Sequence, residues 1–438
     1  MDYSGSKVAV LDTIHGGTTI CHKLRDMGAD AVAVDIYRKG PEPEFIDQFD
    51  IVIAPVHAAT PLLERARRLK IPIITHHKVV GDILRESPTL VGTLVFEITG
   101  VRGKTSVSSL LAALNSDKRL LLLSSAGLEI YERRKCIATK RLSITPASML
   151  TAIDIVNELQ INPDVLIFEV SLGGTGIADI GVITSLSPEY GIASNSRSST
   201  EAKLQMISHA KKGSLIVARL DEVDAAMLST HYNSFGMQGS SVSYDISGSR
   251  DEAVRVVYDC LTTVDDTVIS GEIEFTPTRY YDWDSYCNSI LCFIAAALSA
   301  NCDPKRIAST LTKFKGIEGR MSLGRVNHRL LVDNSNSGLT PSLARRAIAC
   351  GLELKKRGNK AVLIIGEETH NVCEGLNPKE VAFISLDDHL DEVILVGERM
   401  HSERSDIVRS ASLEAALTKA LDLTKERDII ISCVKKWR

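Results

Sequence analysis

The sequence predicts an α/β protein built from parallel sheets in three domains, and three observations predict it. Strand-like apolar runs alternate with helix-like segments at both ends of the chain, which argues for parallel sheets with helices packed on them. In the stretch Thr93-Leu-Val-Phe-Glu-Ile-Thr-Gly-Val-Arg-Gly-Lys-Thr-Ser106, an apolar run of strong β-propensity breaks into glycines and then into a helical pattern. The length of 438 residues leaves room for roughly two to four domains. The expected division is 1–90, 91–322 and 323–438, with two smaller α/β domains flanking a central phosphate-loop domain.

Composition narrows the chemistry. Lys and Arg number 51 against 55 Asp and Glu, a formal net charge of -4, so no basic field invites nucleic acid or an anionic membrane. A small-molecule substrate is the expectation. Nine cysteines, an odd number with no C-x-x-C pair, read as reduced thiols rather than a disulfide frame or a zinc site. Cys287, Cys292 and Cys302 fall in or beside an apolar helical pattern and read as packing residues. No apolar run approaches about 18 residues and the first residues carry no signal peptide, which predicts a cytoplasmic protein.

The first segment reads as strand Lys7–Asp12, a helix over Thr18–Met27, strands Ala31–Ile36 and Asp50–Ala54, a helix from Pro61 and a strand Ile71–Thr75. His15, with Gly16 and Gly17, follows the first strand, His57 the third, and His76 and His77 the fourth. In an open parallel sheet these ends share the carboxyl edge, where ligands bind, so they are candidate substrate contacts. A hydrogen-bonded loop histidine is the alternative for each. The segment has no G-x-G-x-x-G, which disfavours a dinucleotide despite Asp35 ending the second strand.

The residues around Pro88 mark a boundary, and the central domain opens with the glycine stretch. Gly100 and Gly103 permit a tight turn that aims successive N–H groups at an anion, and the helix Val107–Leu114 offers its positive end to the same spot. Lys104 would reach the β/γ-phosphates and Thr105 would offer its hydroxyl to Mg²⁺. Gly100, Val101, Arg102, Gly103, Lys104, Thr105 and Ser106 therefore form a candidate ATP site, although only two residues separate the glycines where the commoner phosphate loop has four. Asp164–Ser171 is a second apolar strand carrying one carboxylate, Glu169. A charge in a buried run must be paired or bind metal, and the loop upstream favours Mg²⁺.

The short form T-G-x-x-G-K-T resembles the loop of the Mur ligase family, the ATP-dependent peptide ligases of cell-wall synthesis and folate polyglutamylation. Further on, Thr200–Ile207 has helical period, and Lys203 matches the family's commonly carbamylated lysine, which holds a second Mg²⁺. Glu189 and Tyr190 stand where that family has an Asp-His pair, so the histidine ligand is missing, and a solvated helix lysine is the alternative for Lys203. By the same resemblance Asn288, on the helical stretch Trp283–Ala300, meets the adenine, Arg320 of Gly316-Ile-Glu-Gly-Arg320 meets the phosphates, and Asp333 of Leu330–Asn336 binds the ribose. The remaining chain returns to alternation, with strands Ala361–Gly366, Glu392–Gly397 and Asp428–Ser432 and a helix Ser412–Thr424. Glu367, Glu368, Thr369 and His370 follow the first of these strands and read equally as residues that would face the central domain if the two close over a ligand and as solvated loop. The resemblance implies a three-domain Mur ligase-like architecture with a central P-loop ATPase domain.

Within that superfamily the chain is similar to the coenzyme F(430) synthase family of methanogenic archaea. The similarity rests on Leu11-Asp-Thr-Ile-His-Gly-Gly17, Ala54-Pro-Val-His57, Ile74-Thr-His-His77, Phe168-Glu-Val-Ser-Leu-Gly-Gly-Thr-Gly176, Asp333-Asn-Ser-Asn-Ser-Gly338 and Val434-Lys-Lys-Trp-Arg438. It implies a synthase that uses ATP and Mg²⁺ to phosphorylate a propionate of the nickel tetrapyrrole seco-F(430), after which carbon attacks the acyl phosphate to close the last ring. Lys104, Glu169, Lys203 and Arg320 are then the candidate catalytic residues, Thr105, Glu169 and Lys203 the metal ligands. The tetrapyrrole would lie on the edge carrying His15, Gly16, Gly17, His57, His76 and His77. Two other readings stay open: an amide ligase joining an amino acid to a carboxylate, and a non-catalytic ATP-binding regulatory module. The oligomeric state, monomer or homodimer, is not legible.

Overall fold

The computed structural model describes residues 2–436 apart from 39, 225–230, 245–252 and 369–374. The described residues fall into two compact units, Met1–Thr276 with Cys287–Leu311, and Pro277–Tyr286 with Thr312–Arg438.

The first unit carries two sheets. The smaller is wholly parallel in the order β2-β1-β3-β4, from β1 (Lys7–Leu11), β2 (Asp30–Val34), β3 (Ile51–Ala54) and β4 (Ile73–Thr75). Helix α1 (Gly17–Asp26) connects β1 to β2, α2 (Pro61–Arg68) connects β3 to β4, and α3 (His76–Arg85) follows β4. The strands read as continuous apolar runs because both faces are covered, as parallel sheets require. One face, with Ala9, Leu11 and Val52, packs on Leu62, Leu63 and Ala66 of α2.

The other face does not end at a domain boundary. Val8, Val10, Ile20, Val79, Val80 and Leu84 share one core with Leu121, Leu123, Met149, Leu150, Ile153 and Phe168 further along the chain. At about 1.5–3 kcal/mol for each large aliphatic side chain buried, this shared core holds the two sheets together far more firmly than any ion pair. The Lys23 to Asp154 bridge of 2.6 Å, part exposed, adds little.

The larger sheet has eleven strands: β5 (Leu94–Thr99), β6 (Arg119–Ser124), β7 (Gly127–Glu132), β8 (Lys135–Lys140), β9 (Val165–Glu169), β10 (Ile180–Ile183), β13 (Leu215–Arg219), β14 (Tyr232–Gly236), β15 (Val242–Tyr244), β16 (Val254–Thr262) and β17 (Val268–Phe275). Between β10 and β13 lie the small hairpin β11 (Gly191–Ile192) and β12 (Arg197–Ser198) and the short helices α6 (Ser199–Lys203) and α7 (Gln205–Ser208). The order is β17-β16-β15-β14-β13-β10-β5-β9-β6-β7-β8, parallel in the middle and antiparallel at both ends. The sequence reading identifies β5 and β9. It misses the edge strands, whose alternating pattern on half-exposed surfaces resembles loop. Helix α4 (Lys104–Leu114) follows β5, α5 (Pro146–Glu158) precedes β9, and α8 (Trp283–Ser299) and α9 (Pro304–Lys313) close the unit's chain. The single helix expected over Thr200–Ile207 breaks into α6 and α7 at Leu204.

The second unit is a six-stranded sheet in the order β18-β19-β23-β20-β21-β22. Its strands are β18 (Ser322–Val326), β19 (Arg329–Asp333), β20 (Ala361–Glu367), β21 (Glu392–Val396), β22 (Val408–Ser410) and β23 (Ile429–Lys435), all parallel except β18. Helices α10 (Pro341–Leu354), α11 (Pro378–Ser385) and α12 (Leu413–Leu423) cover it. Thr369 and His370, and the terminal Trp437 and Arg438 of the expected motif, lie outside the described residues. Among the described residues no helix is long and apolar enough to cross a membrane.

Candidate active site

Strand order sets the site. From β5 the chain crosses to β6 on one side, returns to β9 between them, and then moves to β10 on the other. The order reverses beside β5, and in open α/β sheets ligands bind outside the carboxyl ends of the strands at such a point. The glycine loop follows β5, and Glu169 ends β9 in register with Ile98.

The loop is fixed by its neighbours. Gly103 is the residue before α4 and has φ 85°, a left-handed conformation that a β-carbon would strain. A β-carbon on Gly100 would sit 2.1 Å from Thr184 Oγ1, so only glycine fits there. The Val101 N–H donates to the Ser185 carbonyl (2.9 Å) and the Arg102 N–H to the Ser185 hydroxyl (2.9 Å). These two amides thus anchor the loop to the end of β10, and the anion-facing set is the first turn of α4, whose N–H groups have no partner within the helix. Lys104 Nζ curls back to the Gly100 carbonyl at 2.9 Å, spanning the cradle it closes. Ser106 is buried in that first turn. Asn288 is exposed on α8, next to Ser289, whose hydroxyl lies 2.8 Å from a β-carbon built on Gly103, so the helix brings Asn288 alongside the loop.

Glu169 is fully buried, and its carboxylate accepts from Ser108 Oγ at 2.7 Å, Thr105 Oγ1 at 3.2 Å and the Ser125 N–H at 3.2 Å. Thr105 Oγ1 lies 3.0 Å from Ser125 Oγ. A carboxylate and two hydroxyls converging beside a helix N-terminus are hard oxygen donors of the kind Mg²⁺ takes, and the cradle next to them suits a phosphate. The donor set fits the pair. Ser108 and Ser125 were not legible in the sequence as partners of Glu169, because serines carry no signal of their own.

Lys203 is wholly buried on α6. Its Nζ lies 3.3 Å from Tyr190 Oη and 3.3 Å from the Ser199 carbonyl, and 4.7 Å above the Tyr190 ring. Burial, and behind it the charge of Lys104, push the ammonium down to about 7. Tyr190, which stands where the resembled family has a histidine, lies beside Lys203, and Glu189 lines the surface cleft next to it.

The four histidines expected on one edge divide into two pairs. His15 and His57 are partly exposed, with ring centroids 5.2 Å apart and edge to face. His76 and His77 open α3 and are buried. The chain turns inward there because Thr75 caps the helix, accepting from the Lys78 N–H, and the first turn then packs under the sheet. His76 Nε2 lies 3.0 Å from the Leu11 carbonyl, and burial pulls its ring down to about 4. Both ring nitrogens of His77 lack a hydrogen-bond partner among the described residues, and burial holds it at about 3. Gly16 packs on Ala147 of α5, where a β-carbon would come within 2.2 Å, and Gly17 is buried against the Asp12 carbonyl.

The partly exposed pair is organised by two residues that the sequence reading passed over. Asp12, fully buried, has φ 75° and accepts the N–H groups of Ile14 and His15 at 2.9 and 2.8 Å. Its other oxygen lies 2.7 Å from His15 Nδ1 and accepts from Tyr37 Oη at 3.0 Å. A charged residue in the last position of an apolar strand was the available signal for Asp12; Tyr37 comes from a different connection and had none.

The second unit holds the remaining candidates. Arg320 is half-buried, its carbonyl accepting from Tyr286 Oη at 2.7 Å. Asp333 ends β19, caps the Ser335 N–H at 3.0 Å and lines a cavity of about 290 Å³ with Tyr280, Lys315 and Leu323. A cavity of about 840 Å³ is lined by Glu367, Glu368, Arg399, Arg409 and Lys419, with Glu367 paired to Arg399 at 2.6 Å.

Residues 323–436 match the family described as "Coenzyme F430 synthetase CfbE, C-terminal domain". The chain is 35% identical to the coenzyme F(430) synthetase of Methanosarcina acetivorans, covering 100% of both chains. It is 24% identical to the coenzyme F(430) synthetase of Methanocaldococcus jannaschii, covering 85% of this chain and 86% of that one. Among solved structures, the MurF ligase from Thermotoga maritima in complex with ADP superposes with a TM-score of 0.51 at 15% identity, over 98% of this chain and 91% of that one. The three-domain Mur ligase architecture is thus the fold of this chain as well.

Proposed function

The chain belongs to the coenzyme F(430) synthetase family, and from that premise we propose that it phosphorylates a propionate of seco-F(430) with ATP and Mg²⁺ and then closes the final carbocyclic ring. The observation that carries this reading is the 35% identity to a coenzyme F(430) synthetase across 100% of both chains.

The residues suit the chemistry. A carboxylate is a poor electrophile at neutral pH, and a phosphoryl group on it supplies a leaving group. Catalysis of that transfer is positioning plus neutralisation of charge on the moving phosphoryl oxygens. The first turn of α4 supplies N–H donors and Lys104 a cation. Thr105 and Glu169, with the Ser125 hydroxyl beside them, would hold Mg²⁺. When bound there, the ion draws charge from the phosphate oxygens. Lys203, with its ammonium brought down to about 7, has a large fraction of free amine at neutral pH, the form that adds carbon dioxide to become a carbamate ligand. His15 and His57 would meet the tetrapyrrole, while the buried His76 and His77 support the edge from beneath.

The test is mass spectrometry of the products after incubating the protein with ATP, Mg²⁺ and seco-F(430), without any amino acid. The expected result is substrate-dependent loss of one water, matched by ADP and phosphate. Turnover that begins only when an amino acid is added would replace this reading with an amide ligase.

A further inference from the structure

We propose that His15 is the general base of the ring-closing step, with Asp12 as its positioning residue; this rests on the carbon–carbon bond-forming reading above. That step needs a base. The carbon nucleophile must lose a proton as its C–H electron pair forms the bond to the acyl carbon, and phosphate leaves with the electron pair of the C–O bond.

Accounting for hydrogens in the rim selects the nitrogen. Desolvation alone would raise the Asp12 carboxyl, but the hydrogen bonds from His57 and His15 outweigh it and hold the group well below the usual carboxylate range. Asp12 is therefore an ionised acceptor, and the hydrogens in its two short side-chain contacts come from His15 Nδ1, at 2.7 Å, and from Tyr37 Oη, at 3.0 Å. With its hydrogen committed to Asp12, Tyr37 accepts from His57 Nε2 at 3.1 Å. These three contacts then hold one hydrogen each, the longer Tyr37 Oη to His15 Nδ1 approach of 3.4 Å holds none, and a His15 ring with its hydrogen on Nδ1 is left with a lone pair on Nε2. The Asp12, His15 and His57 donor atoms lie within 4.8 Å of one another, close enough to hold a metal ion. The hydrogen assignment already engages both Asp12 oxygens, His15 Nδ1 and His57 Nε2, which favours proton chemistry over a metal. A carboxylate fixing one nitrogen of an imidazole so that the other can take a proton is the arrangement of a general base.

Packing of neighbouring residues brings the rim's connections beside the carboxyl end of β9. Val56, next to His57, packs against Leu172 and Ala202, the neighbour of Lys203. Gly16, next to His15, packs on Ala147. The Ile144 carbonyl just before it accepts the Ser171 N–H, two residues past Glu169. Both connections thus lie against the carboxyl end of β9. An imidazole there takes the carbon-bound proton on Nε2 and releases it to solvent or to the departing phosphate.

The experiment separates the two halves of the reaction. With His15→Gln and His15→Ala at saturating substrate, hydroxylamine should trap as hydroxamate the acyl phosphate that no longer closes, so that hydroxamate rises relative to ring-closed product. The ring-closed product should fall at least about a hundredfold. Added imidazole should restore part of the closure in His15→Ala, and Asp12→Asn should show the same split more weakly. Ring closure within a few-fold in both His15 variants, or a hydroxamate yield that falls together with closure, overturns the proposal. If the unaltered protein forms neither hydroxamate nor ring-closed product, the underlying reading fails and takes this one with it.

Discussion

Two buried glutamates on neighbouring strands show how partners decide a role. Glu97 lies in β5 and Glu169 ends β9; both are fully buried. Glu97 pairs in register with Phe168, and Glu169 with Ile98, so the two are one step apart and point to opposite faces of the sheet. Glu97 accepts the N–H groups of Thr175 (2.8 Å), Gly176 (3.1 Å) and Ala178 (3.3 Å) and the Thr175 hydroxyl (2.7 Å). Those backbone donors cannot rotate away, so the carboxylate is spent on holding the glycine loop after β9. α3 leans on the same loop, with Gly81 so close to the Thr175 carbonyl that a β-carbon would come within 2.0 Å. Glu169 is met instead by two hydroxyls and one N–H. Hydroxyls can turn to other acceptors or share an ion. A carboxylate held by fixed amides is a structural anchor, and one held by rotatable hydroxyls remains available to a cation.

The largest expected break in that contrast is Glu169→Gln. ADP formation should fall on the order of a thousandfold, while the thermal midpoint moves by no more than a few degrees. A variant that unfolds instead would make Glu169 an anchor too. Glu97→Gln should do the reverse. Its amide nitrogen would face the N–H groups of Gly176 and Ala178, costing about 3 kcal/mol of stability. Hydrogen exchange should show faster opening at 174–178, with the folded fraction still making ADP.

The same logic extends to the histidines of α3. His76 and His77 are held neutral well below the ordinary range, at about 4 and about 3. Unfolded, they take up protons near pH 6.5, so between that pH and their folded values the unfolded chain binds more protons and stability falls as pH falls. From His76 alone the loss reaches roughly 3 kcal/mol by pH 4. Urea midpoints at pH 7 and pH 5 measure it, and a flat profile would mean that the rings charge inside the fold. The smallest effect concerns His77, whose nitrogens have no protein partner among the described residues. His77→Leu should raise stability at pH 7 by about 1 kcal/mol and reduce the acid loss. A destabilised variant would show that His77 has a partner in solution.

The sequence by itself determined the parallel α/β class and singled out the glycine loop between β5 and α4 as the candidate phosphate site. Both are written in contiguous residues: apolar runs alternating with helical period, and Gly100 to Ser106 in one turn between strand and helix. It also singled out Glu169, by the rule that a buried charge needs a partner. The same rule applies to Glu97 in the loop's own strand, and only the fold shows that its partners are amides about 80 residues on. The rim was half legible. The histidines stood at strand ends, yet their division into an exposed and a buried pair depends on how α3 packs beneath the sheet. Asp12 and Tyr37 come together with His15 and His57 from three separate connections. Local pattern follows the dihedral preferences and hydrophobic period of neighbouring residues, which a sequence records directly. Which donor meets a carboxylate is settled by contacts between distant segments, and those exist only once the sheets have closed on a common core.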